Sequence, residues 1–220
     1  MGSIFDLLPQ IGKALGETFY MMIFTLAIAA ILGIPLGTLL YMIRPGSILQ
    51  KPRPYLVLDT VVNIVRSFPF LVLMVAIIPL TKMIVGTSLG TTAVIVPLTI
   101  SAIPDFARLT EQVLLEIDRG VIEMAEAMGA NMFQVIWKVM YREARAGMVN
   151  AATIISVSFL SYSTVAGLVG GGGIGDFAIR YGYYRYQPDV MIFTVVLIIL
   201  IVQAIQTTGR IISRKLDMRY

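Results

Sequence analysis

The chain has 220 residues, of which 57% are apolar and 14% charged, and its mean hydropathy is +0.84. An ordinary soluble domain carries about 25% charged residues, and a folded surface needs more polar cover than this chain can supply, which excludes a water-soluble enzyme, a disordered chain and a disulfide scaffold. Cys and His are both absent, and the net charge of +4 is scattered between apolar runs; thiol chemistry, His-based catalysis and a nucleic-acid patch are excluded with them, and no catalytic, metal or cofactor site is expected in this chain.

A membrane-spanning helix needs about 20 mostly apolar residues. Charge-free stretches run from Glu17 to Arg44, Lys82 to Asp105, Arg145 to Asp176 and Asp189 to Arg210, and a fifth apolar stretch carries Asp59 and Arg66. The sequence therefore predicts an all-α integral membrane protein, a single domain over 1–220 with five transmembrane helices at about 18–43, 55–80, 91–114, 147–168 and 190–211. No cleavable leader is expected, because the first apolar run is too long and lacks a cationic start. Asp6 stands where a myristoylation signal needs Ser or Thr.

Orientation follows from the basic residues. Arg44, Lys51 and Arg53 lie in the first connection, Arg119, Lys138, Arg142 and Arg145 in the third, and Arg210, Arg214, Lys215 and Arg219 in the tail. The other side has Lys13, Lys82, Arg180 and Arg185. The bias predicts a cytoplasmic first connection, third connection and C-terminus, with the N-terminus outside.

Helix two carries Asp59, Asn63 and Arg66 on one face. Charge inside a span is costly and is expected to face protein or water, so Asn63 and Arg66 are either a polar wall of a pathway or a structural group near the membrane face. Pro69 follows one turn later and predicts a kink. Pro97 and Pro104 pose the same choice on helix three, where Asp105, Arg108, Gln112 and Glu116 form a stripe that would join its end to the third connection. Helix four presents Ala152, Ser156, Ser163 and Gly167 on a narrow face, which suits close helix packing or a wall at a two-fold axis.

The third connection, about 115–146, is too long and too rich in helix formers for a linker. Its apolar residues (Val121, Met124 and Met128, then Met132, Val135, Ile136 and Val139) recur at helical spacing, and Gly129 interrupts them. Two short helices joined at Gly129-Ala130-Asn131 are predicted. The first is acidic at Glu123 and Glu126 and small at Ala125 and Ala127, unlike a lipid-surface helix, which is usually basic; docking to another protein is favoured.

The segment from Glu123 to Glu143 resembles the EAA loop of bacterial ABC importer permeases. Glu123, Ala125 and Gly129 fit that pattern, Met124 replaces its first Ala, and Arg142 stands near its usual Pro. Similarity is closer to the methionine importer permeases, and runs through 63–90 (NIVRSFPFLVLMVAIIPLTKMIVGTSLG), 122–130 (IEMAEAMGA), 143–154 (EARAGMVNAATI) and 162–186 (YSTVAGLVGGGGIGDFAIRYGYYRY). The resemblance implies a multi-pass permease of the bacterial cytoplasmic (inner) membrane and a pathway formed by two copies of the chain. It also implies a separate dimeric ATPase that holds the ATP and magnesium, an extracytoplasmic substrate-binding protein and a lipid environment. It assigns ATPase coupling to Glu123, Ala125, Glu126, Ala127, Gly129 and Ala130, and makes Ser163, Thr164 and Val165 gate candidates beside Ser156.

Two strings near the end have other readings. Gly170–Gly173 is not a phosphate loop, because no Lys-Ser/Thr follows. Gly173-Ile-Gly-Asp176 matches the G-x-G-D of intramembrane aspartyl proteases, a distant alternative that needs a second close carboxylate. A flexible external turn is expected there, with Tyr181 to Tyr186 as an interfacial belt or a binding-protein contact. Another small solute carried by the same architecture is the nearer alternative.

Overall fold

The computed structural model describes residues 7–217; residues 1–6, with Asp6, and 218–220, with Arg219, lie outside them. The first helix, α1 (Leu8–Ile43), begins ten residues before the predicted span, with Pro9 in its first turn, where a missing N–H costs nothing. Hydropathy marks only the part that meets lipid, whereas the helix continues through Lys13 and Glu17, which pair with each other. At 1.5 Å per residue its 36 residues reach about 54 Å, well beyond a hydrocarbon core of about 30 Å.

The second span is not one helix. It breaks into α2 (Pro52–Ser67), α3 (Phe70–Ala76) and α4 (Ile78–Val85), and α2 and α3 meet at 101°. The predicted kink is thus a full break. Proline crowds the residue before it into extended backbone, and Phe68 sits at φ −74°, ψ 128°. The third span, α5 (Thr91–Leu115), lies where the sequence put it, with Pro97 and Pro104 inside.

The short helix α6 (Arg119–Ala127) follows, and then α7 (Met132–Gly167), a single run of 36 residues with π-helical turns at Val135–Met140. The predicted second short helix of the third connection is therefore the base of the helix that carries span four, which starts at 132 rather than 147. Arg142, Glu143 and Arg145 end the apolar stretch but not the helix. Next come α8 (Gly173–Phe177), its π-helical continuation Ala178–Tyr184, and α9 (Pro188–Leu216). By length and composition α1, α5, α7 and α9 can each cross a membrane, and the bent α2–α3 pair makes a fifth candidate if its two helices count as one broken span.

The core joins α1, α5 and α7 through Met21, Leu98, Ala102, Phe106, Ile155 and Phe159. Close approach of α1 to α5 depends on Gly33 and Gly37. A Cβ on Gly33 would stand 2.5 Å from that of Phe106, and one on Gly37 would overlap the Ala107 backbone. This small-xxx-small pattern is plain in the sequence, although the apolar run around it hides its meaning. Ile31 and Leu32 on α1 and Ile192, Ile199 and Leu200 on α9 are exposed, as a lipid-facing surface requires.

The expected flexible turn at 170–176 is instead a packed element. Ile174 and Phe177 are buried. The Gly173 N–H donates to the Glu17 carboxylate at 2.8 Å and the Ile174 N–H to the Thr18 hydroxyl at 2.8 Å. Positive φ at Gly170, Gly172 and Gly173 allows the chain to turn so tightly.

Candidate functional site: the docking helix and the intramembrane polar cluster

At one end of the bundle, α6 lies across the bases of α1, α5 and α7. Its inner face, Ile122 and Ala125, is buried with Tyr41, Leu114, Ile117, Val135 and Met140. The Asp118 side chain caps its start by accepting from the Gly120 N–H at 2.8 Å. Its end is a Schellman motif: the Ala130 N–H donates to the Ala125 carbonyl, the Gly129 N–H donates to the Glu126 carbonyl, and Gly129 sits at φ +81°. Asn131 then opens α7 with a capping box against Gln134. Two complete caps back to back make a stiff joint at the Gly129-Ala130-Asn131 step that the sequence singled out.

The outer surface of this end carries Glu123, Glu126, Ala127 and Gly129, all exposed, while Ala125 faces inward and Ala130 is half-buried. Met124, Met128, Phe133 and Trp137 are exposed beside them at 58%, 75%, 68% and 58%. Four large apolar side chains together on a polar end form a patch that water does not favour. Phe133 and Trp137 were not singled out from the sequence; their i, i+4 spacing on the outer face of α7 became visible only once α7 was known to begin at Met132.

Between α2 and α5 the polar residues form two groups. Arg108 donates to Asp59 at 2.5 Å, to Asn63 Oδ1 at 2.8 Å and to the buried Glu111 at 2.6 Å, and Glu111 also accepts from the Tyr55 hydroxyl. Asn63 donates to Asp59 at 3.0 Å. Arg66 pairs separately with Asp105 at 2.8 Å. The α5 stripe thus turns its charges across to α2 rather than toward α6, and its buried member is Glu111, one residue before the predicted Gln112. Asn63, Arg66, Ser67, Phe68, Ser101, Asp105 and Tyr162 line a cavity of about 480 Å³ beside the α2–α3 break.

The small face of α7 packs inside the chain. The hydroxyls of Ser156, Ser163 and Thr164 each donate to a carbonyl of their own helix. Ser163 is buried, Val165 packs on the main core, and Thr164 meets Gly175 of α8 so closely that a Cβ there would clash. Tyr162, a neighbour of these three gate candidates, is the residue that reaches the cavity. Ser156 lines a smaller hollow between α1, α5 and α7. Asp176 is held by Arg180, and Asp59 and Asp105 each by an arginine. None of the three is paired with another carboxylate, so the aspartyl protease reading has no support.

The profile of the family described as the binding-protein-dependent transport system inner membrane component matches residues 33–220. The probable D-methionine transport system permease protein MetI of Vibrio cholerae is 51% identical over 203 residues, covering 92% of this chain and 90% of its own. The protein of the same description from Pasteurella multocida is 41% identical over 215 residues, covering 96% and 99%. Among solved structures, a chain of the inward-facing MetNI methionine ABC transporter superposes with a TM-score of 0.94 at 41% identity, covering 98% of this chain and 99% of that one. An amino acid ABC transporter shares the fold alone, with a TM-score of 0.79 at 17% identity. The chain belongs to the family of binding-protein-dependent transport system inner membrane components and is a multi-pass permease.

Proposed function

We propose that the whole chain is one permease domain of an ATP-driven importer of methionine, working as a dimer with a separate ATPase. The carrying observation is the surface of α6 and the base of α7. An acidic helix with an apolar patch of Met124, Met128, Phe133 and Trp137 is seated rigidly on the bundle, and suits insertion into a groove on a protein partner. Glu123, Glu126, Ala127 and Gly129 would meet the ATPase, with Ala125 and Ala130 setting the helix on its base. The basic bias puts this end in the cytoplasm and the α8 end outside, where a binding protein would deliver solute. Asn63 and Arg66, which stay exposed at the α2–α5 interface, are the better pathway candidates. Ser163, Thr164 and Val165 are reassigned to holding α7 against α8 and the core.

The relatives named for methionine transport and the MetNI likeness support the substrate. The test is uptake of labelled methionine in cells with and without this chain, with other amino acids as competitors. Uptake that depends on the chain and is blocked by excess unlabelled methionine is expected. A chain-dependent uptake of another solute that methionine does not inhibit would keep the architecture and sink the substrate.

A further inference from the structure

Arg108 and Arg66 lie on the same α2–α5 interface but differ in how fully they are used. Arg108 is engaged by Asp59, Asn63 and Glu111. Arg66 meets only Asp105, through Nε and Oδ1, among the described residues. A guanidinium carries five donors in a fixed fork and a carboxylate two acceptor oxygens, so the Arg66–Asp105 pair keeps capacity on both sides. The pair forms one wall of the 480 Å³ cavity, and the hydroxyls of Ser101 and Tyr162 on that wall have no hydrogen-bond partner among the described residues. Ionisable groups at membrane depth are expensive and mark pathways when they face a cavity.

The break after α2 adds to the same cavity. The Phe68 N–H turns back to the Val65 carbonyl at 3.3 Å, Pro69 has no N–H, and the carbonyls of Arg66 and Ser67 have no main-chain partner among the described residues. A helix C-terminus favours a cation, and broken helices supply ligand groups at the midplane of transporters. Phe68 and Tyr162 put two aromatic rings on the cavity wall, a surface that suits an apolar or thioether side chain.

We propose that Arg66 and Asp105 form a clamp for the zwitterionic head of the transported amino acid, with Phe68 and Tyr162 receiving its side chain. The proposal rests on the methionine-permease reading and adds a subsite to it. An α-amino acid carries opposite charges on adjacent carbons, so a site that binds both must hold opposite charges as close together as this pair does. The ligand carboxylate takes the open donors of Arg66. The ligand ammonium takes Asp105 and the free carbonyls at the end of α2. The hydroxyls of Ser101 and Tyr162 complete the shell. The clamp selects for the amino acid head group and leaves finer side-chain choice to the aromatic wall.

The test is photolabelling of the assembled permease–ATPase complex in membranes with photo-methionine, the diazirine analogue, followed by peptide mapping. Label is expected on the peptides that hold Ser67–Phe68, Ser101 and Tyr162. Excess methionine should remove it, whereas methioninamide, which lacks the carboxylate, and 4-(methylthio)butanoate, which lacks the ammonium, should compete at least tenfold less well. Arg66→Gln and Asp105→Asn, compared at equal amounts of assembled complex, should each reduce labelling at least tenfold, and each should narrow the gap for the analogue that lacks its own partner group. A complex that carries photo-methionine but labels elsewhere, or whose labelling is blocked as well by either analogue as by methionine, overturns the clamp and leaves the methionine reading standing. A complex that neither carries nor labels overturns both.

Discussion

A single arginine can hold two helices together inside a membrane when its charge is met by acceptors on both. Arg108 donates to Asp59 and Asn63 on α2 and to Glu111 on α5, at 15% side-chain exposure for the arginine and 2% for Glu111. Removing one partner of a buried pair leaves the other charged and unpaired, at a cost of about 3–5 kcal/mol. Arg108→Ala is therefore expected to destabilise the purified protein by about that amount, measured as a lower denaturation midpoint in detergent. Arg108→Lys should recover only part of the loss, because an ammonium cannot fork between three acceptors. Equal stability of Arg108→Ala and the parent would show that the cluster contributes nothing to the fold. The sequence exposed Asp59, Asn63 and Arg66 as one face, since i, i+4, i+7 spacing is visible without coordinates. It did not expose Glu111, because which side of α5 faces α2 depends on the packing of Gly33 and Gly37 against that helix.

Among the elements, those bounded by turn chemistry were legible and those bounded by charge were not. α5 starts after Gly90 and ends within a residue of its predicted limit, and the Gly129 joint stands where the helical spacing breaks. The N-termini of α1 and α7 were misplaced because charges end an apolar stretch without ending a helix. The 173–184 segment was misread because Glu17 and Thr18, more than 150 residues away, supply the partners for its first amides. The joint between α6 and α7 carries a prediction of its own. Gly129 is at φ +81°, and no atom lies within 4 Å of the place a Cβ would occupy, so a side chain there meets backbone strain of roughly 1–2 kcal/mol but no clash within the chain. Gly129→Leu is expected to leave the permease inserted and folded while uptake falls at least tenfold relative to the ATP hydrolysed. Uptake and hydrolysis that stay in their original ratio would argue against docking at this surface.

For the whole molecule, the membrane decides which surfaces are tolerable. Helix α9 has 11% of its most apolar window buried within the chain, a condition that only lipid or a second copy makes stable. Composition alone made that legible, along with the four long apolar helices. The sidedness expected from the basic residues predicts that a fluorescent protein fused after Tyr220 will mature in the cytoplasm, whereas alkaline phosphatase at the same point will be inactive. An active phosphatase fusion would invert the topology and place the α6 surface outside, away from any ATPase.

The unbroken length of α7 gives the chain a lever. Its 36 residues make a rod of about 54 Å, with the capped α6 joint at one end and Gly167 locked against the backbone of Asp176 at the other. A tilt of only about 5° swings one end about 5 Å relative to the other over that length. If α6 docks on a partner, a push there is expected to reach α8 as a tilt of this one rod rather than through a chain of separate contacts.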